Sequence, residues 1–507
     1  MLSILPSPSH SSRQLLLLAM VVLLPGCAML GPDFTAPEQE APADWSAWHS
    51  GPERASAPGI DTDTQPAEKW WLEFDDPVLN QLQQRLAEAS PDLRSAVLNF
   101  AGARLQRQIV ASERGVDVQA SGGVSRQKLS EYGTSMRMAA ISSPANSDAL
   151  IGALAEPFTL YQAGFDASWE PDFWGRIGRS IEAAEAGSTA SAALLDQTRL
   201  GLSAELARAY FELRSLQQQV RLMQRDIGLK EDQLALLEAN RAAGLVSDVQ
   251  VDSLRMQLSE QRAGLPALNT GVVASMNAIS TLLGEHPGAL DALLQSDAVD
   301  TFDSIHSADL ALGVPSSLAR RRPDIRAAEA QLHAATAEIG VATADLYPRV
   351  TLHAGFGVES FLQSAFGKGG SEYWSIGPGF YLPIFNQGRL KARVELTKMD
   401  QQQAAVHYRQ TVLRAWQEID NALTAYAAEQ TRYHQLQQKL ASARSQLEIN
   451  RANRAAGLSD SSVEIASESL MLGVERQLVD SRATMNIQRV AVYKAVGGGV
   501  DSAGVTE

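Results

Sequence analysis

The feature that most constrains this chain of 507 residues is an internal repeat. Ala239-Asn240-Arg241-Ala242-Ala243-Gly244-Leu245 recurs as Ala452-Asn453-Arg454-Ala455-Ala456-Gly457-Leu458, an offset of 213. Trp174-Gly175-Arg176-Ile177 matches Gln387-Gly388-Arg389-Leu390, and Leu283-Gly284 matches Val496-Gly497, at that same offset. Pro91-Asp92-Leu93-Arg94 matches Pro323-Asp324-Ile325-Arg326 at an offset of 232. An offset held at such distant points specifies a tandem duplication. The difference between the two offsets places an insertion in the first copy, in the Ser/Met/Ala-rich stretch from Ser130 to Leu154.

Each copy carries a long helical pattern. Leu206, Ala209, Leu213, Leu216, Val220, Met223, Ile227, Leu234 and Leu237 alternate by three and four, a heptad seam broken only by Lys230. The second copy repeats the register from Ile419 through Ala422, Tyr426, Glu429 and Tyr433 to Asn450. No proline interrupts Gly175 to Gly244 or Gly388 to Gly457, so each run predicts a helix of roughly 100 Å. Both runs stop at a glycine, as a C-terminal cap would. A shorter return helix follows in each copy, with Pro266 as an expected kink in the first.

Elsewhere the period changes to two. Val350, Leu352, Ala354, Phe356 and Val358 face one way, and Trp374, Ile376, Phe380 and Leu382 form a second apolar row. In the first copy Val116, Val118, Ala120 and Val124, then Tyr161, Ala163, Phe165, Ala167 and Trp169, do the same. Four segments of this length and alternation have the form of membrane β-strands. Four strands cannot close a barrel, and an open edge cannot sit in lipid. Several copies of the chain must therefore share one barrel, with their helices forming a cylinder beside it. The two glycine-ended turns then fall at the end of the long helices away from the strands.

Composition supports this reading by exclusion. Beyond Leu30 no apolar run is long enough for a helical membrane span. A net charge of −15 argues against a nucleic-acid partner. There is one cysteine, Cys27, so no disulfide framework and no cysteine zinc cage is available. Cys27 follows the apolar core Leu15–Leu24 and the dipeptide Pro25-Gly26. That arrangement reads as an export signal ending in a lipoprotein cleavage box, although Pro25 departs from the usual small residue. The cysteine sulfur would carry lipid, and more than one acyl chain anchors a protein stably. The eight histidines are scattered, without an HxxxH pair, and the carboxylates follow helix-surface spacing, so catalysis has little support.

Several blocks together carry a family resemblance. They are Lys69-Trp70-Trp71-Leu72-Glu73-Phe74-Asp75-Asp76-Pro77, Arg320-Arg321-Arg322-Pro323-Asp324-Ile325-Arg326, Ile339-Gly340-Val341-Ala342, Tyr347-Pro348, and Leu382-Pro383-Ile384-Phe385-Asn386-Gln387-Gly388-Arg389. The chain resembles the TolC-like bacterial outer membrane factors, in their NodT-type lipoprotein branch. The resemblance implies a mainly α protein with membrane β: a homotrimer whose 12-strand β-barrel continues into a 12-helix periplasmic α-barrel. It implies a passive exit duct for small molecules in a tripartite efflux system. Its partners would be a periplasmic adaptor, a proton-driven inner-membrane transporter and outer membrane lipid, with no cofactor apart from the covalent lipid. Ala28, not Asp, after Cys27 implies outer membrane delivery. The organisation expected is a signal peptide at 1–26, a lipid-anchored tether at 27–68, a first repeat at 69–284, an equatorial linker at 285–315, a second repeat at 316–498 and a tail at 499–507.

The same resemblance assigns an adaptor-contact tip to Arg241, Gly244 and Leu245 with Arg454, Gly457 and Leu458, against the plainer reading of a capped turn. Asp248 matches a gate-holding aspartate. The second tip has Val463 and Ala466 where relatives often have carboxylates, and Asp460 and Glu464 stand close by as gate candidates or as solvated tip residues. The competing classes are a lipid-anchored coiled-coil spacer, an envelope enzyme, and a duct for type I protein secretion or metal-ion efflux.

Overall fold

The computed structural model describes residues 29–38, 60–61, 64–142, 146–295, 310–312 and 321–498. The signal stretch, Cys27, the tail 499–507 and, of the 285–315 linker, all but 285–295 and 310–312 lie outside the described residues. In chain order the elements are β1 (Ile60–Asp61), α1 (Pro77–Ala89), α2 (Pro91–Ser112), β2 (Asp117–Gln127), α3 (Thr134–Ser142), α4 (Ser147–Leu154), β3 (Phe158–Trp169), α5 (Arg176–Ala242), α6 (Asp248–Leu282), α7 (Asp291–Leu294), β4 (Leu310–Ala311), α8 (Pro323–Ala344), β5 (Arg349–Ser360), β6 (Glu372–Tyr381), α9 (Arg389–Ala455) and α10 (Ser461–Ala495).

The lengths follow the repeat. Helices α5 and α9 have 67 residues each and α6 and α10 have 35 each, and the second of each pair starts at the common offset from the first. Helices α2 and α8 both have 22 residues and keep the larger offset. A helix of 67 residues is about 100 Å long. Pro266 lies inside α6 without ending it.

Contacts divide the chain into two units, and each draws on both halves of the sequence. One comprises Met1–Thr35, Arg104–Gly187 and Leu332–Gln403. Its centre is an antiparallel sheet in the order β2-β3-β5-β6. The register aligns Ala120, Phe165, Phe356 and Trp374 in one row across all four strands. The next row, on the opposite face, is Ser121, Gly164, Gly357 and Tyr373. Every apolar series expected from the alternation thus falls on one side of the sheet. On that side Val118, Val124, Phe165, Phe356, Trp374, Ile376 and Phe380 are exposed. A soluble sheet would bury such a face, and a contiguous exposed apolar surface of this kind marks contact with lipid or a partner.

The other face is polar. Gln162 donates to Glu359 at 2.6 Å. The Tyr373 ring lies over two glycines: a Cβ on Gly357 would come within 2.8 Å of its hydroxyl, and one on Gly164 within 3.1 Å. The hairpin connections differ. Residues 128–157 join β2 to β3 and contain α3 and α4, whereas 361–371 join β5 to β6. The first connection is longer by the difference between the two repeat offsets, which locates the extra residues at the hairpin tip.

The second unit comprises Ala36–Ala103, Ser188–Gln331 and Ala404–Glu507. Its core explains two of the sequence blocks. Trp70 is fully buried and stacks on Tyr493 with ring centroids 5.6 Å apart. Asp76 caps α1 through Val78 N (2.9 Å) and Leu79 N (3.0 Å), and its other oxygen accepts from the Tyr210 hydroxyl at 2.6 Å. Burial, with the Asp76 carboxylate beside it, pushes the Tyr210 hydroxyl well above the ordinary tyrosine range, so it remains a donor. Glu73 accepts from Arg489 at 3.0 Å and from the Tyr493 hydroxyl. Arg322 donates to Asp324 (2.7 Å), Glu418 (2.7 Å) and the Ala495 carbonyl (2.7 Å), closing the end of α10.

The seam exceptions have partners too. Lys230 Nζ lies 3.6 Å from the buried Asp226, and Glu429 accepts from Ser481 across the helix pair. A charge in a heptad seam persists where a polar group on its own helix, as for Lys230, or on the facing helix, as for Glu429, satisfies it.

Candidate functional site

The repeated Ala-Ala-Gly-Leu sequence builds the same turn twice in the second unit. Gly244 (φ +79°) and Gly457 (φ +73°) take the left-handed conformation that a residue with a Cβ disfavours. Gly244 N donates to Arg241 O at 2.9 Å and Leu245 N to Asn240 O at 2.9 Å. The second turn repeats this with Gly457 to Arg454 (2.9 Å) and Leu458 to Asn453 (2.8 Å). Both are Schellman caps, in which the residue after the glycine commonly packs on the helix residue it bonds back to. Here that residue is an asparagine. Leu245 and Leu458 are left 74% and 78% exposed. Each turn therefore presents a leucine that its own cap does not use.

The helices leaving the turns start differently. Ser247 caps α6 in a reciprocal box with Gln250, and Asp248 lies 3.4 Å from Arg241 across the turn. Asp460 caps α10, accepting from Ser462 N at 2.9 Å, Val463 N at 3.3 Å and the Ser462 hydroxyl at 2.5 Å. The Ser462 hydroxyl, with those backbone donors, holds Asp460 below the usual aspartate range. Glu464 accepts from Arg454 at 2.5 Å and Arg451 at 3.2 Å, and the Arg454 hydrogen bond chiefly holds it below the usual glutamate range. Of the two sequence readings for Asp460 and Glu464, the geometry places the first in a cap and the second in an ion pair. The exposed apolar residues also shift by one position between the return helices: Val249 and Met256 of α6 are matched by Ser462 and Ser469, whereas Val463 and Leu470 of α10 stand where α6 has Gln250 and Gln257.

A polar clasp behind the turns was missed by sequence reasoning. Arg225 of α5 donates to Glu468 of α10 at 2.6 Å, and the Ser469 hydroxyl donates to Asp226 at 2.5 Å. Gln261 of α6 also donates to Asp226, and Arg451 of α9 reaches Glu468 at 2.9 Å. Four helices thus meet through adjacent residues on α5 and adjacent residues on α10. The available signal was Lys230, the one polar residue in an apolar seam, one turn from Asp226.

Among the described residues no group of His, Cys, Asp and Glu has the arrangement of a metal site, and no helix is long and apolar enough to cross a membrane. Strands are a separate matter, and the exposed apolar sheet is the feature here that suits lipid.

A long-helix protein with an amphipathic sheet of this kind belongs to the outer-membrane channel class. The outer membrane efflux protein family matches residues 82–285 and 314–498, and the chain belongs to that family and to the outer membrane. It is 30% identical to the pyoverdine export outer membrane protein OpmQ of Pseudomonas aeruginosa, over 95% of this chain and 97% of that protein. It is 29% identical to nodulation protein T of Rhizobium leguminosarum bv. viciae, over 82% of this chain and 79% of that one. The solved structure of the outer-membrane channel OprN superposes with a TM-score of 0.79 at 30% identity, covering 93% of this chain and 99% of that one. The resemblance read from the sequence blocks is therefore borne out.

Proposed function

We propose that this chain forms, as a homotrimer, the outer-membrane exit duct of a tripartite efflux system. The observation that carries the reading is the four-stranded sheet with one exposed apolar face and with β2 and β6 each paired on one side only. An unpaired strand edge in lipid leaves several backbone groups unsatisfied. Three copies joined β6 to β2 give twelve strands and remove every edge, and the paired long and short helices of each copy give a twelve-helix tunnel. The equal helix lengths at fixed offsets support the duplicated architecture.

The duct is passive. An inner-membrane transporter, driven by protons, supplies the energy, and a periplasmic adaptor links it to the turns at Gly244 and Gly457. Arg241 and Leu245, with Arg454 and Leu458, are the contact residues, because both turns hold out an unused leucine beside an arginine. The Arg241–Asp248 pair and the Arg225–Glu468 and Asp226–Ser469 contacts hold the closed state. Cys27 carries lipid. The cargo is a small molecule; the similarity to OpmQ, named for pyoverdine export, supports export of compounds of that size.

Deleting the gene should raise intracellular accumulation of a fluorescent pump substrate, and the native protein should run from outer membranes as a heat-sensitive trimer. A detergent-free, soluble Cys27→Ala monomer would favour the periplasmic spacer instead. Leu245→Asp with Leu458→Asp should abolish efflux while leaving the trimer band intact, and unchanged efflux would remove the docking role.

A further inference from the structure

Residues Met29–Phe34 lie in a groove of the first unit, between the start of α5 and the second half of α8. Leu30 N donates to Trp174 O at 3.1 Å. Gly31, at φ +88°, crosses α8 so closely that a Cβ on it would stand 2.5 Å from the Gly340 Cα, and a Cβ on Gly340 would stand 2.7 Å from the Leu30 carbonyl oxygen. Met29 covers Gly175, where a Cβ would meet its Cα at 2.7 Å. Arg179, with its side chain 3% exposed, donates to the Leu30 carbonyl (3.1 Å), Asp33 (2.6 Å) and Glu182 (2.8 Å). Phe34 stacks on the His333 ring at 4.3 Å, and Glu182 holds His333 at 2.9 Å.

The repeat supplies an internal control. Gly388 occupies the same left-handed turn in the second copy, but a Cβ there would meet nothing within 4 Å. The positions that match Arg179 and Gly340 at the two offsets are Ala392 and Gln108. A glycine turn alone therefore does not gather a strap. The groove needs a helix that can be crossed at a glycine and a buried arginine aimed at the strap's carbonyl and carboxylate.

We propose that this groove is a positioning site for the lipid-modified N-terminus, with Met29–Phe34 as its peptide ligand. The proposal rests on lipidation of Cys27. Met29 follows Cys27 by two positions, so extended chain reaches at most about 7 Å. Met29 is seated on Gly175, a short turn past the end of β3 at Trp169. The acyl chains are thereby held beside the strand end. A flexible tether spanning 27–68 would instead let them wander on the order of 35 Å. Because Gly175 and Arg179 come from the first copy and His333 and Gly340 from the second, the anchor seats only when both copies have packed.

The test uses chymotrypsin on outer membranes carrying the full-length protein, with cleavage after Leu30 and Phe34 distinguished by fragment mass from cleavage after Trp45 and Trp48 and only the former counted. The wild-type strap should resist. Gly340→Val, which fills the crossing point, should speed cleavage about tenfold or more while the heat-sensitive trimer persists. Asp33→Ala removes the ion pair from the strap side and cannot unfold the groove, so it should also accelerate cleavage if Gly340→Val fails to fold. Equal cleavage of wild type and Asp33→Ala in intact trimers would overturn the groove. A protected strap with no acyl mass on Cys27 would overturn the lipid anchor instead, and missing trimers would overturn the duct.

Discussion

Helices α2 and α8 start with the same Pro-Asp-aliphatic-Arg sequence and have the same length of 22 residues, yet they meet opposite fates. In α8, Ile325, Leu332, Ala337 and Ile339 are buried, and Arg326 and His333 are tied to α5 through Asp196 and Glu182. In α2 no residue is buried, and Val97, Leu98, Leu105 and Ile109 stand exposed. Its ion pair with α5, Arg107–Glu185 at 2.8 Å, is itself open to solvent. The difference is one of place, since α2 leads into the edge strand β2 and α8 into the inner strand β5. The exposed side chains Val97, Leu98, Leu105 and Ile109 would suit the edge of another copy in the trimer proposed above.

The largest expected effect breaks this comparison directly. Ala337→Asp would bury an unpaired carboxylate in α8 at a cost of several kcal/mol, enough to prevent folding. Leu105→Asp, at the matching position of α2, should leave the protomer folded and abolish the trimer. Native gels and circular dichroism separate the two outcomes, and a normal trimer for Leu105→Asp would remove α2 from the interface. The sheet gives the next effect. Phe356→Arg on the apolar face should cost about 2–4 kcal/mol if that face meets lipid near its midplane. The midpoint of urea unfolding in liposomes measures it, and a shift no larger than that of Thr351→Arg on the polar face would deny the lipid contact.

Much of the first-order architecture was legible in the residues. The repeat offsets give helix bounds that match in both copies, because identical turns such as Ala-Ala-Gly-Leu act through short-range capping. The strand faces were legible because alternation is local, and the register keeps them together. The clasp at Asp226 and Glu468 was not legible. It joins residues 243 apart in sequence, and on each helix they look like ordinary solvated charge. The roles of Trp70 and Arg322 were equally hidden. The blocks identified a family, but only the packing shows Trp70 stacked on Tyr493 and Arg322 closing the end of α10.

Within the second unit the two turns offer a finer comparison. Glu468→Gln with Asp226→Asn removes both carboxylates from the α5–α10 clasp and should cost about 1–3 kcal/mol, since partly buried charged hydrogen bonds are lost. The expected readout is increased entry of vancomycin into cells whose trimer band is unchanged, and unaltered entry would dissociate the clasp from closure.

The smallest effects lie at the turns themselves. Asp248→Ala breaks one exposed pair, and such pairs contribute about 0–1 kcal/mol, so vancomycin entry should rise far less than for the clasp variant. The second turn has in addition a pH dependence with a defined sign. Glu464 and Asp460 are held below their unfolded values of 4.5 and 3.8 by Arg454 and Ser462 respectively. Groups with depressed folded values contribute stability above the unfolded value and lose it as the pH falls through the folded value. Amide exchange at 457–464, corrected for intrinsic rates, should therefore be unchanged between pH 7 and about 5 and should rise below about 4. Replacing Arg454 with Ala should weaken Glu464's contribution to that acid response, because the stabilisation of its carboxylate depends chiefly on that guanidinium. An acid response of the same size in both proteins would place its origin away from the Arg454–Glu464 pair.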